Sequence, residues 1–152
     1  EFIIAGAPGI DPKYYDSFLK NKYIKVVHNQ THNLLTNAKA ALVSSGTATL
    51  ETALFNVPQV VCYRSSFLSY QIAKRLVKLE FISLVNLVLK REVVKELIQN
   101  SFTTNKVCKN LDFILSDRGQ KQLKMDYKTL RNILGNGGAS KKTAKLIHNA
   151  IK

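Results

Sequence analysis

The stretch Ala41-Leu-Val-Ser-Ser-Gly-Thr-Ala-Thr-Leu-Glu-Thr-Ala-Leu54 sets the strongest limit on how this chain can fold. An apolar run stops at two serines and a glycine, and apolar residues then return at helical spacing, which predicts strand, tight turn and helix. A junction of this kind aims backbone N–H groups and the positive end of a helix dipole at one point. A phosphate can be held there without a dedicated side chain. Ser44, Ser45, Gly46 and Thr47 are therefore the candidate site for a nucleotide diphosphate, with glycine permitting close backbone approach. The competing reading is that Ser45 or Thr47 simply caps the helix.

The same alternation extends to either side. Phe2 to Gly6 has the pattern of a buried strand, Pro12 opens a helix to about Lys20, Tyr23 to Val27 is a strand, and Thr31 to Asn37 a short helix. Ala40 to Val43 is the third strand, Thr47 to Phe55 is helical, and Pro58 to Tyr63 is a strand with proline at its permitted first position. The expected fold is α/β, a Rossmann-like parallel sheet with helices on both faces, where ligands bind beyond the carboxyl ends of the strands. Past Tyr63 the pattern predicts a basic amphipathic helix over 67–79, a last strand over 81–85, and helices over 91–99, 103–115, 119–134 and 140–151. We expect one domain over 1–152, with an alternating core at 1–85 and a helical extension at 86–152. A start inside a strand suggests a cut N-terminus.

The 152 residues carry a formal net charge of +13, which favours anionic partners: nucleic acid, an acidic membrane surface or a phosphorylated ligand. Cys62 and Cys108 are far apart with no CxxC spacing, so neither a disulfide framework nor a zinc site is indicated. No apolar run approaches the roughly 18 residues of a membrane span. His28 and His32 have helical spacing but lack the glutamate of a zinc-protease motif, and no metal is expected. Gly135-Asn-Gly-Gly imitates a phosphate loop without a preceding strand, and is better read as a helix stop and restart with Ser140 as the cap. His148 falls in a polar–apolar helical pattern and is expected at the surface.

Several blocks, in order, carry a family resemblance: Ser45-Gly-Thr-Ala-Thr-Leu-Glu51, Pro58-Gln-Val-Val-Cys-Tyr-Arg64, Ile72-Ala-Lys-Arg-Leu-Val77, Ile82-Ser-Leu-Val-Asn86 and Arg91-Glu-Val-Val-Lys-Glu-Leu-Ile-Gln99. Together they resemble the lipid-A-disaccharide synthase family over nearly the whole chain. The resemblance implies an inverting glycosyltransferase of GT-B architecture, two Rossmann-like halves, of which this is the C-terminal, nucleotide-binding half. It implies transfer of diacylglucosamine from UDP to a lipid monosaccharide phosphate with release of UDP. The N-terminal domain, the Gly-Ser-Arg loop and the general base are then missing here, so this chain alone is expected to be inactive.

The resemblance also assigns roles. Ser44, Ser45, Gly46 and Thr47 bind the donor diphosphate, and Glu51, one turn further along the same helix face, accepts the ribose hydroxyls. A dipole-stabilising glutamate is the plainer reading of Glu51. Arg64 follows a strand end, where its fork of donors can reach phosphate or a sugar oxygen, the plainer reading being a solvated arginine. Asn86 fits the family's Ser-Leu-Pro-Asn motif near the donor sugar, although Val85 stands where that motif has proline. Glu96 is a further ligand contact, or one half of a solvated helix face shared with Glu92. His28 and Gln30, after the second strand, are placed near the uracil.

No cofactor is expected. The implied partners are the UDP-diacylglucosamine donor, the lipid acceptor, the missing N-terminal domain and a second subunit exchanging C-terminal helices. Lys74, Arg75 and Lys78, with apolar neighbours, suggest contact with anionic lipid headgroups, unless the helix only packs on the sheet. The expected location is cytoplasmic, peripheral on the inner face of the inner membrane. Two alternatives stand beside this reading: another UDP-sugar enzyme such as an epimerase or a peptidoglycan glycosyltransferase, and a basic nucleic-acid-binding module. The second lacks an aromatic RNA-reading strand.

Overall fold

The computed structural model describes residues 1–19, 23–66, 80–135 and 137–151. It forms two compact units, Glu1–Lys39 and Ala40–Lys152. The basic helix expected over 67–79, with Lys74, Arg75 and Lys78, lies outside the described residues.

In the first unit, β1 (Phe2–Gly6) and β2 (Ile24–His28) pair in parallel, with Gly6 beside His28. Between them runs α1 (Pro12–Asp16), where proline occupies the first turn and the Asp11 side chain accepts the Lys13 amide at 2.9 Å. The helix expected to reach Lys20 ends at Asp16, with Ser17 as its C-cap. α2 (Thr31–Asn37) follows β2 as the periodicity predicts.

The second unit contains the parallel sheet β3 (Ala41–Ser44), β4 (Gln59–Tyr63) and β5 (Lys95–Ile98), in that order. Its helices are α3 (Thr47–Leu54), α4 (Leu84–Leu89), α5 (Thr104–Leu115), α6 (Asp117–Leu134) and α7 (Ala139–Ala150). Val60 and Val61 of β4 are fully buried because β4 is the central strand, covered by helices. Around them pack Ala53, Val85, Val94, Leu97, Ile114, Leu123, Tyr127 and Leu130. Ala53 of α3, Ile114 of α5 and Leu123, Tyr127 and Leu130 of α6 come from helices that the sequence pattern predicts; Val85, Val94 and Leu97 come from segments it reads differently. The architecture is α/β and Rossmann-like, parallel sheets flanked by helices with a helical C-terminal stretch.

Two expected elements are exchanged. Residues 81–85 are not a strand: Ser83 takes extended geometry and accepts the Asn86 amide on its Oγ at 3.3 Å, which starts α4. Nor is 91–99 a helix, since Lys95–Ile98 pairs in parallel with Val60–Tyr63 of β4. Residues 81–85 are a short apolar run that suits either state, and the apolar pairs at 93–94 and 97–98 have helical spacing in a segment also short enough for a strand; the open edge of β4 decides between them. A third correction concerns Ser140, which lies inside α7; Gly138 is the N-cap and makes no side-chain cap bond.

Ser116 joins α5 to α6, accepting the Gly119 amide at 3.1 Å and donating to the Phe113 carbonyl at 2.6 Å. Gly135, at φ 75°, ends α6 as expected, and His148 is exposed on α7. Among the described residues no helix is long and apolar enough to cross a membrane.

Candidate functional site

β3 ends at Ser44 and α3 begins at Thr47, so the chain turns from strand to helix through Ser45 and Gly46. Gly46 is the N-cap at φ 139° and ψ −162°, backbone that side-chain-bearing residues rarely adopt. Among the described residues no side chain caps the helix, so neither Ser45 nor Thr47 takes the capping role. The amides of Thr47 and Ala48 therefore keep the unmet donor capacity of a helix start, at its positive end. Ser44 and Thr47 are exposed beside them.

The platform under this turn is rigid. Thr49, fully buried, donates from both Oγ1 (2.8 Å) and its amide (3.2 Å) to the Gly46 carbonyl. Gln59 on β4, also fully buried, donates from Nε2 to the Thr49 carbonyl at 2.8 Å. Ser44 lies in register with Cys62 of β4. Burial pushes the Cys62 thiol above its ordinary pKa, so it stays protonated at neutral pH.

Ser45 is tied elsewhere: its Oγ donates to the Ile82 carbonyl at 2.9 Å. That bond uses the hydroxyl's single proton, so Ser45 Oγ has none to give a phosphate oxygen in this arrangement. Ile82 belongs to a tight polar cluster. The Glu96 carboxylate accepts the Ile82 amide on Oε2 and the Ser83 amide on Oε1, each at 2.9 Å. Asn86 Nδ2 donates to Glu96 Oε1 and to the Val94 carbonyl, both at 2.8 Å. Its Oδ1 accepts the amides of Val93 (2.7 Å) and Val94 (2.9 Å). Two donors and two acceptor sites are all an amide side chain has. Asn86, fully buried, has no hydrogen bond left for a sugar.

The structure thus joins Ser45, Asn86 and Glu96, which the sequence proposes separately: Asn86 meets Glu96 directly, and Ser45 reaches Glu96 through main-chain atoms of residues 82 and 83. Glu96 sits on β5, so the expected helix face shared with Glu92 does not form; Glu92 instead pairs with Lys95 at 2.9 Å. Val85 is the second residue of α4. An amide there has no intrahelical partner, so valine serves where proline also fits.

Arg64 lies just beyond β4, at the same carboxyl edge as the turn, and donates from Nη2 to the Phe102 carbonyl at 3.3 Å. Its guanidinium also stands 5.7 Å from the Phe102 ring centre. Glu51 is half-buried, one turn into α3. His28 and Gln30 belong to the first unit: His28 meets Tyr15 edge-on at 5.8 Å, and Gln30 is the N-cap of α2.

At the other end of α3 a cavity of about 470 Å3 is lined by Asn56, Lys124, Lys128 and Arg131. Arg131 donates to the carbonyl of Leu54, the last residue of α3. These cations complement the negative end of the helix dipole, which accounts for their gathering there.

Sequence reasoning missed Ile82 and Ser83, because main-chain atoms do their work and leave no residue-type signal. Gln59 was also missed, although a glutamine opening an apolar strand is such a signal.

Residues 13–150 match the family model for lipid-A-disaccharide synthetase. The chain is similar to the lipid-A-disaccharide synthase of Anaeromyxobacter sp. (strain K), 32% identical over all of this chain and 41% of the relative. It is similar to that of Pseudomonas putida (strain W619), 35% identical over 91% of this chain and 38% of the relative. A third, from Coxiella burnetii (strain CbuG_Q212), is 37% identical over 84% of this chain and 34% of the relative. The chain spans about two-fifths or less of the length of these curated relatives.

Proposed function

The chain belongs to the lipid-A-disaccharide synthetase family, and on that premise we propose that it is the donor-binding part of a lipid-A-disaccharide synthase. The whole enzyme transfers 2,3-diacylglucosamine from UDP to 2,3-diacylglucosamine 1-phosphate. An acceptor hydroxyl attacks the anomeric carbon, the bond to the UDP phosphate oxygen breaks, and the hydroxyl proton passes to a base outside this chain. UDP leaves with the negative charge.

Residues 1–152 form one C-terminal UDP-sugar-binding domain in this reading. The amides at the start of α3 hold the diphosphate, with the Thr47 and Ser44 hydroxyls beside them. They stabilise the charge that develops on the leaving phosphate, and being fixed in advance they need no reorganisation when it forms. Glu51 receives the ribose hydroxyls, and Arg64 supplies a cation at the same sheet edge. Asn86 and Glu96 do not touch the sugar; they shape the loop next to the turn. Catalysis requires the N-terminal domain. The enzyme works in the cytoplasm, peripheral on the inner face of the inner membrane, and forms a homodimer.

The observation that supports this most is Gly46: a strained glycine turn at the carboxyl end of a parallel strand, opening an uncapped helix. Calorimetric titration of the full-length protein with UDP tests it. Gly46→Val and Glu51→Ala are each expected to weaken UDP binding about tenfold or more, or roughly 1.4 kcal/mol. Unchanged affinity in the double variant refutes the site.

A further inference from the structure

We propose that Glu96 is a positioning residue for the phosphate-holding turn, acting on Ser45 through Ile82 without touching the ligand. The inference rests on the reading of the Gly46 turn as a UDP site and adds what holds that turn in shape.

In this strand-to-helix turn Thr49 fixes the Gly46 carbonyl from within α3, while Gly46, at φ 139°, offers no side-chain cap to α3, so the Ser45 end needs its own restraint. The Ser45 hydroxyl ties the turn to a distant segment, donating to the Ile82 carbonyl across 37 residues of chain. A carbonyl can orient a hydroxyl only if its own peptide is fixed. The amides of Ile82 and Ser83, on the two sides of that carbonyl, both end on the Glu96 carboxylate at 2.9 Å. An ionised carboxylate makes these bonds charge-assisted, roughly twice as strong as neutral ones. Asn86 completes the clamp by donating to Glu96 Oε1 while gripping Val93 and Val94.

Glu96 is itself carried on β5, in register with Val61 of β4, so it is anchored to the same sheet that delivers Ser44 to the turn. The carboxylate, the Ile82 peptide and the Ser45 hydroxyl are thus a relay from the sheet to the loop before Gly46. Glu96→Gln breaks it: the introduced NH2 group would face an N–H donor where an acceptor is required.

The test is a double-mutant cycle in the full-length protein, with UDP affinity measured by calorimetry below the melting temperature of every variant. Ser45→Ala and Glu96→Gln are each expected to weaken UDP binding about five- to tenfold, and the double variant no more than the worse single one, because both cut the same relay. Ser45→Thr, which keeps the hydroxyl, restores near-native affinity. Should Glu96→Gln fail to fold, Glu96→Asp, which keeps the charge but shortens the reach, takes its place in the cycle. Multiplying losses, or an unaltered UDP affinity in the position-96 variant while Gly46→Val still weakens binding, overturns the positioning role and leaves the UDP site standing. If Gly46→Val and Glu51→Ala together also leave UDP binding unchanged, the site itself falls, and this inference with it.

Discussion

Asn86 and Glu96 meet in a 2.8 Å hydrogen bond from Nδ2 to Oε1, in a cluster where the amide of Asn86 is fully used. Removing it takes away the partner of the Val93 and Val94 amides and of the Val94 carbonyl. Asn86→Leu is expected to cost about 3 kcal/mol, several unmet polar groups at about 1–3 kcal/mol each, partly relieved by water. Urea unfolding of the full-length protein checks this, and a loss below about 1 kcal/mol contradicts it.

Gly46 offers a separable test. A Cβ built there meets nothing within 4 Å, so substitution is penalised by backbone conformation alone. Gly46→Ala is expected to destabilise by about 1–3 kcal/mol. Because there is no clash, Gly46→Ala and Gly46→Ser should lose similar amounts, measured by thermal unfolding. A steric cause would make serine clearly worse.

Gly119 is the opposite case. A Cβ there would overlap the Phe113 carbonyl, standing 2.9 Å from its carbon and 3.1 Å from Ile114 Cα. These are backbone atoms and cannot swing aside, so Gly119→Ala must part the α5–α6 junction held by Ser116. We expect a loss of about 2–3 kcal/mol from overpacking. Hydrogen exchange should show it as faster opening of 113–120 before the rest of the second unit.

The two cysteines should label at different rates. Cys108 is exposed, whereas Cys62 is partly buried and its thiol is pushed up by desolvation. At pH 7.5 iodoacetamide should modify Cys108 first, as peptide mass spectrometry will show. The raised pKa also fixes a sign for stability. As pH climbs through the ordinary thiol range the unfolded chain loses its Cys62 proton before the folded one, so this group's contribution to stability falls with rising pH. Cys62→Ser should flatten that part of the profile.

Local chemistry made much of this protein legible. The Ser-Ser-Gly turn, the proline at the start of α1, the start of α3 and the end of α6 at Gly135 follow from rules that act within a few residues. So does the parallel alternation up to Tyr63. By contrast, α6 begins at Asp117 on the Ser116 cap, two residues before the expected start. Sequence blocks in order were enough to indicate the family. What local chemistry could not decide was which apolar run takes the free edge of β4. The local pattern reads 81–85 as a strand and 91–99 as a helix, and only the pairing of Lys95–Ile98 with Val60–Tyr63 overturns that reading.

That one choice moves Glu96 from a helix face to a strand and puts its carboxylate under the Ile82 and Ser83 amides. It also turns Asn86 from a sugar contact into a buried clamp. The turn's conformation was written in Gly46. Where the protons of Ser45, Asn86 and residues 82 and 83 go was not, because a hydrogen bond across 37 residues exists only once the sheet has brought its two ends together.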